Sequence, residues 1–255
     1  QFDTLVGKGA SKSVYLADDF ETARQVAWNE VNMKTLSHRE IHRVVGEIQM
    51  LKTLKHPCLM KFYTCVAFMK DDDTKLVFIT ELMTSGTLAD FTKKYPVSKK
   101  LVKTFASGIL RGLNFLHNRE KPVIHRDIKC DNIFYSSEGD GVHVKIGDFG
   151  LATTTGESLI GAFLCTPEFM APEMYTANYT ESVDIYAFGM CVLEMITRQV
   201  PYLECKSMSA LFRSIVRAGW PAAYNYIMRC ISLESDAEGV YHRPSAQQLL
   251  EDPFL

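Results

Sequence analysis

The chain is short of the residues that staple, span or coat. Its seven cysteines, at 58, 65, 130, 165, 191, 205 and 230, are scattered over 255 residues with no C-x-x-C pair. That argues against a zinc ribbon or a disulfide framework and for a reducing compartment, which we take as the cytoplasm. No basic block suggests a nucleic-acid surface, no acidic tail appears, and the net charge is only -2. Long hydrophobic runs are missing too. The longest, Ile185 to Ile196, is too short to span a bilayer and carries Glu194, so it reads as a buried helix. Neither nucleic-acid binding nor membrane insertion is expected. Gln1-Phe2-Asp3 lacks the form of a signal peptide. No internal repeat or low-complexity segment stands out. What is present is 47% hydrophobic and 23% charged, the profile of a globular protein with a sizeable core, of one or two domains by length.

The most informative stretch is Ile124-His125-Arg126-Asp127-Ile128-Lys129-Cys130-Asp131-Asn132, followed sixteen residues after Asn132 by Asp148-Phe149-Gly150. Together they have the H-R-D-x-K-x-x-N and D-F-G form of a protein kinase catalytic loop and metal-binding turn. The chemistry accounts for the spacing. One Asp must take a proton from a substrate hydroxyl, while a second Asp and an Asn hold Mg²⁺ on the phosphates of ATP.

The first ~80 residues read mainly as strands, with Val14–Ala17, Gln25–Trp28 and Leu76–Ile79 as short β-branched or aromatic runs bounded by polar turns. One helix interrupts them. Ser37 is its N-cap with Glu40 three residues on, and Ile41, Val44, Val45, Ile48 and Leu51 then recur at helical spacing before His56-Pro57 closes it. After Ser85-Gly86 the pattern turns helical, over Leu101–Leu116, Val183–Ile196 and Ala210–Val216. Asn132–Tyr135 and Val142–Ile146 flank the turn-rich Ser136-Ser137-Glu138-Gly139-Asp140-Gly141, a hairpin signal. The expected fold is α+β and bilobal, a protein-kinase fold. Residues 1–83 form an antiparallel β-sheet lobe with one regulatory helix and 84–255 a mainly helical lobe, with a hinge near Glu81 to Ser85. Ligand sites favour the cleft between such lobes.

Gly7-Lys8-Gly9-Ala10-Ser11-Lys12-Ser13-Val14 occupies the place of the glycine-rich loop G-x-G-x-x-G-x-V, with Gly7 and Gly9 allowing close approach of backbone to phosphate. The third glycine position holds Lys12. Downstream, Val26-Ala27-Trp28-Asn29 stands where kinases have V-A-I-K, so the usual phosphate-binding lysine is absent and Asn29 is there instead. A neutral amide neither neutralises phosphate nor pairs with the helix glutamate. Two explanations compete: a pseudokinase that has lost its lysine, or an enzyme in which Lys12 supplies the charge. Strand side chains alternate, so Lys12 and Val14 share a face, as do Ala27 and Asn29 on the next strand. The flexible Lys12 stem would bring its ammonium to the vacated place, with Glu47 as partner.

That combination resembles the With-No-Lysine (WNK) family of Ser/Thr protein kinases, and the likeness runs over essentially the whole chain. It includes Val26-Ala27-Trp28, Thr80-Glu81-Leu82-Met83-Thr84-Ser85-Gly86-Thr87-Leu88, Lys129-Cys130-Asp131-Asn132-Ile133-Phe134, Thr166-Pro167-Glu168-Phe169-Met170-Ala171-Pro172-Glu173-Met174-Tyr175 and Tyr186-Ala187-Phe188-Gly189-Met190-Cys191. Asn29 is similar to plant-type and protist-type members, whereas animal members tend to carry Cys.

The resemblance implies a non-specific serine/threonine protein kinase that uses ATP and Mg²⁺. Asp127 would orient the substrate hydroxyl and accept its proton, and Lys129 would sit beside the γ-phosphate. Asn132 and Asp148 would ligate Mg²⁺. Gly7, Gly9, Lys12, Val14, Ala27, Thr80, Glu81 and Met83 would bind ATP, with Thr80 as gatekeeper and the backbones of Glu81 and Met83 on the adenine edge. Structural roles are expected for the ion pair Glu173–Arg243, for Asp184 holding the catalytic-loop backbone, for His125 and Phe149 in the hydrophobic spine, and for Met190 and Met195 in the core. Partners would be proteins with a Ser/Thr acceptor. In the animal family these are STE20-type kinases that control cation-chloride cotransporters.

Arg126 before the catalytic Asp implies a phosphate-ordered activation segment, from about Leu151 to Glu173. Ser158 matches one family phosphoserine, and Thr154 and Thr155 are other acceptors. The main activating serine falls on Ala162, native or engineered, and Cys165 stands where the family has glycine. The family is inhibited by chloride held at backbone amides of the D-L-G-L turn, here Asp148 followed by Phe149, Gly150 and Leu151, with Phe62 and Phe78 as neighbours. Phe149 replaces the family's smaller leucine, which predicts weakened or absent inhibition of autophosphorylation by chloride against a matched inert anion. The stretch from Arg217 to Cys230 is shorter than the family's by roughly ten residues. A pseudokinase scaffold remains the rival, opposed by the preserved Asp127, Asn132 and Asp148. A dinucleotide-binding oxidoreductase fails, because G-x-G lacks its third glycine and no βαβ crossover follows. The chain ends on a kinase-like terminal helix, Glu251-Asp252-Pro253-Phe254-Leu255, and reads as one domain of something longer.

Overall fold

In the computed structural model the described residues are 2–8, 12–70, 73–137, 141–154, 166–175, 179–201, 221–236 and 241–255. The chain divides into two units, Gln1–Thr84 and Ser85–Leu255.

Short β-branched and aromatic runs make the first unit a sheet. Strands β1 (Phe2–Lys8), β2 (Ser13–Asp19), β3 (Arg24–Asn32), β4 (Phe62–Lys70) and β5 (Asp73–Glu81) lie antiparallel in the order β1-β2-β3-β5-β4. Residues directly opposite on neighbouring strands project to one face. The register sets Val14 against Asn29 and Asn29 against Phe78, and in the next row Leu16 against Ala27 and Ala27 against Thr80. Helix α1 (His38–Thr53) opens with the expected capping box: Ser37 Oγ accepts from the Glu40 N–H, and the Glu40 carboxylate accepts from the Ser37 N–H at 2.8 Å. Val44, Ile48 and Leu51 are buried, and Glu47 rides with them on the same stripe. Val45, read as part of that stripe, is instead exposed, because a step of one residue turns the side chain 100° round the helix. The sheet has two strands, β1 and β4, that the periodicity does not single out.

The second unit is built on α4 (Ser182–Thr197), in which every residue from Val183 to Ile196 is buried. A helix apolar on every face, with Asp184 and Glu194 as its buried carboxylates, belongs in the middle of a core. Around it stand α2 (Leu88–Lys94), α3 (Lys99–His117), α5 (Pro221–Cys230) and α6 (Ala246–Leu250). α3 buries Val102, Phe105, Ala106, Ile109, Leu110, Leu113 and Leu116, the spacing of one helix face. Gly189 lets α4 and α5 approach closely, since a Cβ there would lie 2.6 Å from Cys230 Cβ. The predicted hairpin is present as β7 (Ile133–Ser136) paired with β8 (His143–Ile146), and β6 (Val123–Ile124) pairs with β9 (Thr153–Thr154). Met190 and Met195 are core residues as expected. The terminal helix is displaced from its expected place. It is α6, and Glu251 to Leu255 continue as turns, where Pro253 has no N–H to extend the ladder. The helix expected over Ala210–Val216 lies outside the described residues. Among the described residues no helix is long and apolar enough to cross a membrane, and Cys58, Cys65, Cys130, Cys191 and Cys230 are not in disulfides.

Candidate active site

In the first unit, Lys12 immediately precedes β2 and reaches across to α1. Its Nζ lies 3.0 Å from Glu47 Oε1 and 5.7 Å from the centroid of the Phe78 ring. The lysine side chain is 21% exposed and the glutamate 7%, so the pair is partly withdrawn from water and stronger than a surface pair. The ring face adds a second favourable surface for the ammonium. Asn29, on β3, is buried and turns away from Glu47, its Nδ2 lying 3.2 Å from Thr80 Oγ1. Ala27 and Thr80 are buried beside it, while Val14 and Met83 are half-buried. Glu81 is fixed by two bonds to Lys61: its backbone N–H donates to Lys61 O at 2.9 Å, and its carboxylate accepts from the Lys61 N–H at 2.5 Å. Gly7 is open around its Cα, with nothing within 4 Å of the place a Cβ would take. Gly9 lies outside the described residues.

In the second unit, the loop from His125 to Asn132 is held from below by α4. Asp184, fully buried, accepts from the backbone N–H groups of His125 and Arg126, each at 2.9 Å, and lies 2.9 Å from His117 Nε2. Burial alone pushes the Asp184 carboxyl up, but the His117 bond and charge and the His125 N–H outweigh it and hold the group below the ordinary carboxylate value. His125 Nε2 donates to Gly147 O at 3.0 Å, and its Nδ1 accepts the Asp127 N–H at 3.3 Å. Those bonds set the tautomer. The buried Phe149 ring meets the His125 ring edge-on at 4.8 Å.

Asp127 is the hub of the loop. Lys129 Nζ is 2.9 Å from its Oδ2, and Asn132 Nδ2 donates to the same oxygen at 2.7 Å and to the Asp127 backbone carbonyl at 2.8 Å. Thr166 joins them: its hydroxyl donates to Asp127 Oδ1 at 3.2 Å and accepts from Lys129 Nζ at 2.7 Å. Sequence reasoning gives Thr166 no role. It lies 39 residues from Asp127, and no local spacing links the two. Only the need of a half-buried ammonium for a further oxygen points to it.

Asn132 is buried, and with both amide hydrogens directed at Asp127 its Oδ1 takes no hydrogen bond among the described residues. Asp148 is exposed in the left-handed region at φ 58°, following Gly147, whose N–H donates to Asn132 O at 2.9 Å. An amide oxygen and a carboxylate on linked turns are hard donors that suit Mg²⁺. Arg126, also left-handed at φ 67°, donates to Leu151 O at 2.5 Å and to Tyr179 Oη at 3.2 Å. Gly150 donates to Asp148 Oδ1 at 3.4 Å and Ala152 to Phe149 O at 3.0 Å, so the 148–152 turn closes on itself. Thr155, Ser158, Ala162 and Cys165 lie outside the described residues.

The family profile of the protein kinase domain matches residues 1–255. The chain belongs to the protein kinase domain family. Among curated proteins, this kinase domain is 43% identical to the serine/threonine-protein kinase Wnk of Drosophila melanogaster over all of this chain and 10% of that protein. It is 46% identical to the serine/threonine-protein kinase WNK3 of Mus musculus over 89% of this chain and 13% of that protein. It is 43% identical to WNK4 of Rattus norvegicus over all of this chain and 21% of that protein. The kinase domain thus spans between a tenth and about a fifth of the length of these relatives. The resemblance to WNK kinases seen in the motifs holds along the chain.

Proposed function

We propose that this domain is a serine/threonine protein kinase that moves the γ-phosphoryl group of ATP to a protein hydroxyl, with Lys12 as its phosphate-facing lysine. The observation that carries this is the Lys12–Glu47 pair at 3.0 Å, the ion pair that Asn29 is unable to make. In this reading the acceptor oxygen bonds to γ-phosphorus as the bond to the ADP oxygen breaks. Asp127 aligns the acceptor hydroxyl and takes its proton on a carboxylate oxygen late in transfer. Lys129 neutralises charge beside it, and the Asn132 amide and Thr166 hydroxyl keep the Asp127 carboxylate in one rotamer. Asn132 and Asp148 would hold Mg²⁺, which supplies charge neutralisation on the phosphates. Gly7 and Gly9 would lie over the phosphates, Val14, Ala27 and Thr80 would line the adenine, and the backbones of Glu81 and Met83 would bond its edge. STE20-type kinases are the proposed substrates, by likeness to animal WNK kinases, and Ser158 a proposed phosphosite. Phe149, Gly150 and Leu151 form the proposed anion-facing turn, with a weakened response to chloride because the Phe149 ring already fills the space against His125. The unbridged cysteines support a reducing, cytoplasmic setting.

The test is transfer from labelled ATP to a generic Ser/Thr substrate. The parent should be active, and folded Lys12→Met and Asp127→Asn should lose about 10²–10⁴-fold. Lys12→Met with parental activity would refute the relocated lysine. An inactive parent that Ala162→Asp also fails to restore would replace the enzyme by a nucleotide-binding pseudokinase scaffold.

A further inference from the structure

The place of the missing lysine is occupied by a side chain whose two N–H donors are shared among three acceptors. Asn29 is 5% exposed, and its Nδ2 lies 3.2 Å from Ala27 O, 3.3 Å from Phe78 O and 3.2 Å from Thr80 Oγ1. All three partners are oxygens. Turned the other way, the amide would set its own oxygen against two carbonyls, so only one orientation is compatible with the site. Its oxygen takes no hydrogen bond among the described residues. The amide is therefore folded back onto β3 and β5, and the Glu47 carboxylate is left to Lys12.

Thr80 has the most to lose. It is buried, sits opposite Ala27 in the register, and is β-branched, so its rotamer decides whether methyl or hydroxyl faces the sheet's ligand side. One bond from Asn29 selects among those rotamers. We propose that Asn29 is a positioning residue of the nucleotide site: it locks the Thr80 side chain and so sets the shape of the adenine-facing end, while Lys12 carries the electrostatic work. The inference rests on the reading of Val14, Ala27 and Thr80 as adenine-lining residues. Position and role have come apart here. The charge has moved to Lys12, and the vacated position has taken over pocket shape.

The experiment is calorimetric binding of ADP and of N6-benzyl-ADP to the whole chain, which reads the site without requiring turnover. The parent should bind ADP and discriminate against the benzyl compound. Asn29→Leu removes both donors at similar volume, and ADP affinity should fall about fivefold, the scale of one hydrogen bond, with the discrimination reduced. Thr80→Val removes the acceptor at the same shape and should do the same. The double variant should be no weaker than either single one, because both remove one coupling. A purely structural role would lower the melting temperature without changing the ratio of the two affinities. Independent effects that multiply in the double variant, or Thr80→Val with both affinities unchanged, would overturn the proposal, and the latter decides even if Asn29→Leu does not fold. A parent that binds no ADP would overturn the nucleotide-site reading as well, whereas ADP binding with multiplying effects sinks this inference alone.

Discussion

Asp184 and Glu194 sit on the same buried helix and are pushed in opposite directions. Burial raises the Glu194 carboxyl, offset only in part by a bond from the Cys130 thiol, and its Oε2 has no partner among the described residues. Burial also works against Asp184, but two backbone N–H groups and His117 reverse the outcome. The difference is the number of donors, not depth. A carboxylate held below its unfolded value stabilises the fold fully above that value and loses its contribution as pH falls through the folded one. Asp184→Asn should therefore cost roughly 2–3 kcal/mol at pH 7, the worth of charge-assisted bonds. In urea titrations that deficit should shrink as pH falls below the ordinary carboxylate value of 3.8, where the unfolded parent's carboxyl takes up its proton before the folded one does. A deficit constant from pH 7 to pH 3 would contradict this account.

At the level of elements, the sequence is most legible where a local rule and a burial rule agree. α1 announces itself by the Ser37–Glu40 capping box and by Val44, Ile48 and Leu51. α4 announces itself as a long apolar run broken only by Glu194. β1 and β4 escape the pattern because both expose what a buried strand would hide: Leu5 and Val6 on β1 and Tyr63 and Val66 on β4 are all exposed. The two-residue pair of β6 with β9 is too short for any periodicity. Gly189 carries no local signal either, since its reason is a neighbour on another element. Gly189→Ala would drive a methyl into Cys230 and Ile231, and we expect a loss of about 1–3 kcal/mol in denaturant unfolding. Unchanged stability would mean that α4 and α5 separate easily.

For the molecule as a whole, chemistry is more legible than contact. Asp127, Lys129 and Asn132 sit within one short loop, and their convergence can be read from spacing. Thr166 cannot, because the chain between must fold before its hydroxyl meets them. The same holds for the buried pair of Glu173 with Arg243, expected from the family likeness. Arg243 binds both carboxylate oxygens, donates to Ser232 O at 3.0 Å and Ser182 O at 3.2 Å, and lies 5.0 Å from the Tyr186 and Tyr241 rings. One side chain thus fastens three distant stretches of the second unit. Glu173→Ala would leave a buried guanidinium short of its counter-charge and should cost about 3–5 kcal/mol. Thermal melting of this variant beside the Glu173→Ala, Arg243→Leu double variant, which should recover part of the loss, checks it.

The three acceptors around Asn29 also bear on drug selectivity. An inhibitor designed to hydrogen-bond a strand lysine through an acceptor atom would find here an amide whose donors are already turned into the sheet. What that amide still offers is an oxygen. A compound presenting a donor at the same point would therefore gain on this kinase domain and lose on those that kept the lysine, a reversal of preference that rests on one side chain.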